Sequence, residues 1–392
     1  KIAAPVLTGA GWRRQVDLRA TGVRVRAAAG HDLATIPQIA LTLSFRGLLD
    51  GVVAPRSVAV FGPRLSLVRG EDGRFSLSRA GAPGVAELPP AGAGSILALL
   101  VAELQHPGET GPARYLREVS VLNATVSLDD RLAGITWQAP DADIFLRRTE
   151  GGLAAALDLG VAELGRPARL SADLLYDADS RWVAVTARMH GVDAAALGLV
   201  DPALMLLTGA DLVLDGSLAT RVSLDGRFGP TRFELRSGPG QVSLPGQFEA
   251  PLEVHGMVLR GEADPALGRI AVSDSYLDLA GVHLDLSAEM EDSGGGDLVL
   301  SGRIHTDTLG AAELKRYWPL NAGRGGRRWV VENMDEGTAH DASLTFRLRL
   351  PGGDLEQAAV EQAEGAFSAT GLTVHYLRGL PPVRGGSGTA RV

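Results

Sequence analysis

The side chains that could do chemistry in this chain are spaced in ways that argue against most of it. The eight histidines (His31, His106, His190, His255, His283, His305, His340 and His375) stand singly, with no pair at the i, i+4 spacing of a helical metal site. Ser387 lies in Gly385-Gly386-Ser387-Gly388-Thr389, which lacks the final glycine of a nucleophile elbow, so a glycine turn is expected there. Asp141-Ala142-Asp143 and Asp177-Ala178-Asp179 resemble fragments of a calcium loop without its later glutamate, and hairpin turns account for them. Gly294-Gly295-Gly296-Asp297 occurs once, which does not make a calcium-binding array, and no phosphate-binding loop is present. The absence of cysteine removes disulfides, thiolate metal sites and thiol nucleophiles together. The expectation is a non-enzymatic protein with no metal and no cofactor.

One charged cluster remains. Lys315, Arg316, Arg324, Arg327 and Arg328 are interleaved with Tyr317, Trp318 and Trp329. A solvated helical face with its aromatics packed on a sheet explains this composition. Contact with anionic lipid headgroups or with a partner protein is the sharper alternative. A net charge of −8 argues against a broad nucleic-acid-binding face.

The elements that carry these residues announce themselves by alternation. Leu212, Leu214, Leu218, Val222 and Leu224 hold one phase, with Asp211, Asp215, Arg221 and Asp225 on the other. Phe233 and Leu235 repeat the pattern, as do Val282, Leu284 and Leu286, then Leu298, Leu300 and Ile304, and finally Leu344, Phe346 and Leu348. Period two with one apolar face marks antiparallel sheet. Turns are expected at Asp50-Gly51, Asp72-Gly73, Asp215-Gly216, Asp225-Gly226 and Glu336-Gly337. Roughly twenty strands at 8–12-residue spacing follow.

Helices are few: Ser95–Gln105, one or two within Asp193–Leu207, one capped by Asp307 or Thr308 and ended by Pro319, and Arg324–Met334. The chain divides into an N-terminal β-region (1–80), a Gly/Pro/Ala-rich loop or insertion (81–113), β-groove strands (114–306), a helical insertion (307–337) and further strands (338–392). No run reaches the ~20 apolar residues of a membrane helix. The chain opens at Lys1 without methionine and stops at Val392 inside another strand-like run. A longer protein with its anchor elsewhere is therefore expected.

So many one-sided strands with so few helices pose a packing problem. They must pack on a second sheet, close on themselves, or curl into a trough. Aromatics at 5% argue against a membrane barrel with its aromatic girdles. The fold expected is mostly β: an elongated, twisted antiparallel sheet curled into an apolar groove, on the order of 90–100 Å long at the usual strand spacing. A sandwich with a closed core is the competing architecture.

The opening residues Ile36-Pro37-Gln38-Ile39, Leu48-Leu49-Asp50-Gly51, Pro63-Arg64-Leu65-Ser66-Leu67-Val68-Arg69 and Glu71-Asp72-Gly73-Arg74-Phe75 resemble the start of AsmA-like proteins. Tyr317-Trp318-Pro319, Arg328-Trp329-Val330, Asn333-Met334, Gly337, Val374-His375-Tyr376-Leu377 and Leu380-Pro381-Pro382-Val383 resemble the YhdP-type branch. The resemblance implies a bridge-like lipid-transport protein of the Gram-negative envelope, tethered to the inner membrane and extending through the periplasm. Its partners would be phospholipid acyl chains, membranes at both ends of the full-length protein and envelope proteins. An envelope scaffold that helps outer-membrane proteins assemble is the alternative.

Overall fold

The structure is a computed structural model that describes residues 3–8, 17–26, 32–70, 75–78, 85–86, 112–131, 134–162, 167–198, 207–223, 227–266, 268–294, 296–320, 322–353, 357–377 and 379–391. The fold is mostly β, a twisted open sheet with a few short helices. Two compact units divide it, residues 1–192 with 221–226, and residues 193–220 with 227–392. The boundary falls inside the 114–306 stretch that alternation alone reads as one run. Among the described residues no helix is long and apolar enough to cross a membrane.

The first unit begins with β1 (Ala3–Thr8), β2 (Asp17–Arg26) and β3 (Asp32–Leu43), paired antiparallel in order. A one-turn helix, α1 (Phe45–Leu49), leads into β4 (Pro55–Phe61). Alternation did not anticipate α1, which is too short to show a helical period. After Gly62 and Pro63 the chain resumes as β5 (Arg64–Arg69), which turns back through β6 (Phe75–Ser78) and β7 (Val85–Ala86).

Among the described strands, the expected all-antiparallel order fails around β8. The long strand β8 (Glu118–Asp130) runs parallel to β4 through Ser57–Phe61 and parallel to β5 through Arg64–Arg69. A parallel neighbour needs a long crossover, and the chain between β5 and β8 supplies it. β9 (Ile135–Arg148), β10 (Gly152–Val161), β11 (Ala168–Asp177) and β12 (Trp182–Asp193) then extend the sheet by antiparallel hairpins.

The second unit starts with α2 (Ala194–Gly198), β13 (Ala210–Asp211) and β14 (Val213–Ser223). β15 (Thr231–Ser237), β16 (Gly240–Val242), β17 (Leu252–Ala263), β18 (Arg269–Leu279), β19 (Val282–Gly294) and β20 (Asp297–Gly310) follow. The helices α3 (Ala311–Tyr317) and α4 (Arg324–Asn333) interrupt before β21 (Met334–Leu350), β22 (Ala359–Val374) and β23 (Val383–Arg391). From β17 to β23 each strand pairs antiparallel with the next.

Several turn expectations give way to strand. Asp215-Gly216 lies inside β14 and Glu336-Gly337 inside β21. Gly216 pairs with Leu235 across the β14–β15 ladder, and Gly337 serves close packing, since a Cβ there would meet Leu372 Cδ2 at 2.6 Å. Asp141 and Asp143 belong to the polar phase of β9, not to a turn, and Ser387 is exposed within β23. Asp307 and Thr308 continue β20 because its ladder with β21 runs on to Gly310, which takes the N-cap position of α3. The turn at Asp50-Gly51 holds, between α1 and β4, and so does the hairpin turn at Asp177–Asp179; the Asp177 carboxylate accepts from Asp179 N at 2.9 Å. Asp72-Gly73, Asp225-Gly226 and the Ser95–Gln105 helix lie outside the described residues.

Candidate functional site

Register brings the predicted apolar phases of the second unit onto one face. One row runs Leu218, Phe233, Gly261, Val272, Ala288, Gly302, Phe346, Ala363 across β14, β15, β17, β18, β19, β20, β21 and β22. Beside it runs Ile270, Met290, Leu300, Leu348, Val360, and on its other flank Ser275, Leu286, Ile304, Leu344, Gly365. Leu235, Leu284 and Leu298 share this phase. Seven interstrand steps of about 4.8 Å make the band roughly 34 Å across the strands. Along β19, from Val282 to Met290, it is roughly 26 Å wide.

Two aromatics lie down on this face. A Cβ built on Gly261 would come within 2.5 Å of Phe233 Cζ, and one on Gly302 within 2.8 Å of Phe346 Cζ. Each ring therefore covers the backbone of the neighbouring strand. Glycine is required opposite each phenylalanine for that reason.

The face is apolar but not closed. Leu218 and Leu344 are 38% and 41% exposed, and Phe233, Leu235, Leu284, Leu286, Leu298, Leu300, Ile304, Phe346 and Leu348 are half-buried. A second sheet laid on these rows would bury them as a core. Val222 is also half-buried, and Leu224 lies outside the described residues. Leu212, Leu214 and Val282 differ, being 6%, 2% and 5% exposed. They close the ends of the sheet and offer no surface. Ala194 N of α2 donates to Leu212 O at 2.9 Å, and the Tyr317 hydroxyl of α3 donates to Ala280 O at 2.7 Å beside Val282. Burial accordingly holds the Tyr317 phenol above its ordinary pKa.

The opposite face is ionic. Arg232 pairs with Glu262 at 2.7 Å and Arg260 with Glu234 at 2.8 Å, across the β15–β17 ladder. Arg236 also bonds Glu234, Arg269 bonds Glu289, and Glu361 takes Arg349 at 2.7 Å and Arg347 at 3.2 Å. Hydrogen bonds from Arg236 and Arg260 pull the Glu234 carboxyl down to about 2. Arg269 likewise lowers Glu289, and Arg349 lowers Glu361. On the same face His283 bonds Asp278 and lies 3.4 Å from Asp285; the Asp278 bond raises its pKa. These are structural pairs. Among the described residues no group of three or more acidic or histidine side chains could hold a metal.

The first unit repeats the arrangement, and reading the sequence missed it. Leu41, Val58, Val119, Leu146, Ala155, Leu174 and Val185 form one row across β3, β4, β8, β9, β10, β11 and β12. Ile39, Val60, Val121, Ile144, Leu157, Ala172 and Ala187 form the next. Only a small part closes: Leu146 and Leu153 are buried, with Leu116, Val119, Ala155 and Tyr176 packed on them. Ion pairs again occupy the other face, Arg169 with Asp158 at 2.8 Å and Arg188 with Asp173 at 2.9 Å. The signal was present in Leu153, Leu157, Leu159 and Val161, but alanine fills both phases of β10 and blurs the period.

The basic cluster does not converge on a single site. Arg316 pairs with Glu253 at 3.4 Å, and Arg327, its side chain 16% exposed, pairs with Glu249 at 3.0 Å and donates to Trp318 O at 3.2 Å. Both are structural. Trp318 stays within the insertion, its indole N–H donating to Ala322 O at 2.8 Å, whereas Trp329 is 49% exposed. Arg328 is exposed beside a cavity of about 250 Å³ lined by Leu320, Arg327, Arg328, Val331 and Glu332; Lys315 is half-buried on α3 and Arg324 opens α4. Compared with known protein families, with curated proteins and with solved structures, the chain finds no match.

Proposed function

We propose that this chain is a non-enzymatic, periplasmic segment of a bridge-like phospholipid transporter, which carries lipid on its apolar β-faces between the inner and the outer membrane. The observation that carries the reading is the half-open apolar face. Met290, Leu300 and Leu348, and beside them Leu286, Ile304 and Leu344, continue one another from strand to strand without a layer that buries them. Each acyl CH₂ transferred onto such a surface contributes about 0.8 kcal/mol, so a lipid tail is a natural occupant. The ionic opposite face keeps that side in water, which confines lipid to one side of each sheet. The resemblance to AsmA-like proteins of the YhdP type supports the same reading and supplies the compartment, the tether and the two membranes.

Photocrosslinking tests it. A benzophenone amino acid replacing Leu300 or Ile144 should capture phospholipid from cells, and one replacing Asp285 or Arg188 should not. Equal capture from both faces, or none from the apolar ones, would remove the proposal.

A further inference from the structure

The loop after β3 is fastened by its own backbone. Ser44 N donates to Ala54 O at 2.8 Å, Val52 N to Gly47 O at 2.8 Å, and the Ser44 hydroxyl accepts from Gly47 N at 3.2 Å. Ser44, Gly47 and Ala54 are buried inside this ring, and a Cβ on Gly47 would stand 3.0 Å from Val52 O. Tied from within, the loop turns its large apolar side chains outward: Phe45 is 51% exposed, Leu48 40%, Leu49 72% and Val53 71%. Scattered exposed apolar residues are ordinary, but four on one fastened loop form a patch. The one carboxylate on the loop is engaged. Asp50 accepts from the Tyr115 hydroxyl at 2.5 Å and pairs with Arg114 at 3.4 Å.

Arginines surround the patch. Arg46 is exposed on α1 itself. Backbone bonds align three more across β4, β8 and β9: Arg117 N donates to Arg56 O at 2.7 Å, and Arg148 N to Arg117 O at 2.9 Å. Arg56 and Arg117 are exposed. Arg148 gives one Nη1 bond to Arg114 O at 3.3 Å, while its Nε and Nη2 are buried without a protein acceptor. Burial and the neighbouring Arg117 charge both lower its pKa, as expected of a guanidinium that lacks a counter-ion. Glu118, next to Arg117, faces Arg147 across the β8–β9 ladder.

We propose that the Phe45–Val53 loop, with Arg56, Arg117 and Arg148 behind it, docks the first unit on the surface of an anionic phospholipid bilayer. The apolar side chains enter the acyl boundary and the exposed guanidinium groups of Arg46, Arg56 and Arg117 bind headgroup phosphates, with the uncompensated charge of Arg148 behind them. Charge complementarity selects this occupant. The chain as a whole carries −8 and is repelled by such a surface, so attraction has to be local. The inference is independent of the apolar rows, because none of these side chains belongs to them.

Co-sedimentation of the full chain with vesicles tests it. Binding is expected to phosphatidylcholine vesicles containing phosphatidylglycerol, weaker at high salt, and not to phosphatidylcholine alone. Leu49→Asp with Val53→Asp should weaken it more than tenfold, and Arg56→Gln and Arg117→Gln by roughly fivefold each. All four positions are exposed, so thermal unfolding should be unchanged. Because the chain has no cysteine, Leu49→Cys accepts a single environment-sensitive fluorophore. Its emission should shift to the blue with anionic vesicles, and that of a label at Ser180→Cys should not. Wild-type protein that ignores anionic vesicles, or substituted proteins that bind as well as wild type, would overturn the proposal. So would a self-association abolished by Leu49→Asp, which would make a second copy the occupant.

Discussion

Asn123, Asp274 and Asp341 hold φ values of 51°, 46° and 51° in the middle of long strands. Each sits at a bulge, where the register slips between Val121 and Ala124, Val272 and Ser275, or His340 and Ser343. Left-handed backbone costs most L-residues about 1–2 kcal/mol, and asparagine and aspartate tolerate it best. Asn123→Val should therefore destabilise the protein by about 1–2 kcal/mol in urea unfolding, whereas Asn123→Gly should be close to neutral. The paired carboxylates predict an acid limb. Glu234 titrates near 2 in the fold against an ordinary value of 4.5, so its contribution is complete above about 4.5 and is lost as pH falls toward 2. Glu289 and Glu361 are shifted the same way. Carboxyl NMR should place the Glu234 midpoint near 2, and Arg260→Gln should move it upward. An unshifted Glu234 would mean that the arginine pairs do not form in solution.

At the scale of the element, the bulges explain what alternation could and could not reveal. β19 keeps one phase from Val282 to Met290, and its face was legible from leucines alone. β18 changes phase at Asp274: Ile270 and Val272 face the same side as Ser275, Leu277 and Leu279, so a strict period of two breaks in mid-strand. β8 changes phase at Asn123 in the same way. The parallel placement of β4 and β5 beside β8 was out of reach, because it depends on pairing between residues 61 apart in the sequence. Glycine was ambiguous too, marking a turn at Gly51 but a cross-strand packing site at Gly261 and Gly302. Gly302→Val should cost about 1–3 kcal/mol, since the Phe346 ring and the Ser287 carbonyl already fill the space. Three leucines separate an open floor from a core. Leu214→Glu puts a carboxylate where 2% of the side chain is exposed and should lower stability by several kcal/mol. Leu284→Glu and Leu300→Glu, on half-open positions, should keep the fold and lower the amount of lipid that copurifies. Unfolding of all three alike would point to a closed core.

Across the whole molecule the division of labour is consistent. Charge is concentrated in pairs on one face of each sheet, apolar side chains occupy the other, and the helices α2 and α3 close ends of the second unit's sheet. Fold class was legible because period two is a strong signal repeated many times. The candidate site was legible only for the second unit, where leucine, not alanine, carries the phase. The basic cluster near 315–328 was legible as a cluster, but its members divide between structural pairs and exposed positions, which spacing cannot foretell. The central claim is that the apolar faces are lipid-binding surfaces. Native mass spectrometry of the full chain, purified without detergent and followed by solvent extraction, tests it most directly. Bound phospholipid, reduced by Leu284→Glu and Leu300→Glu but retained with Asp285→Lys, is the result predicted. A well-folded chain that carries no phospholipid, and takes up none from vesicles, would contradict it.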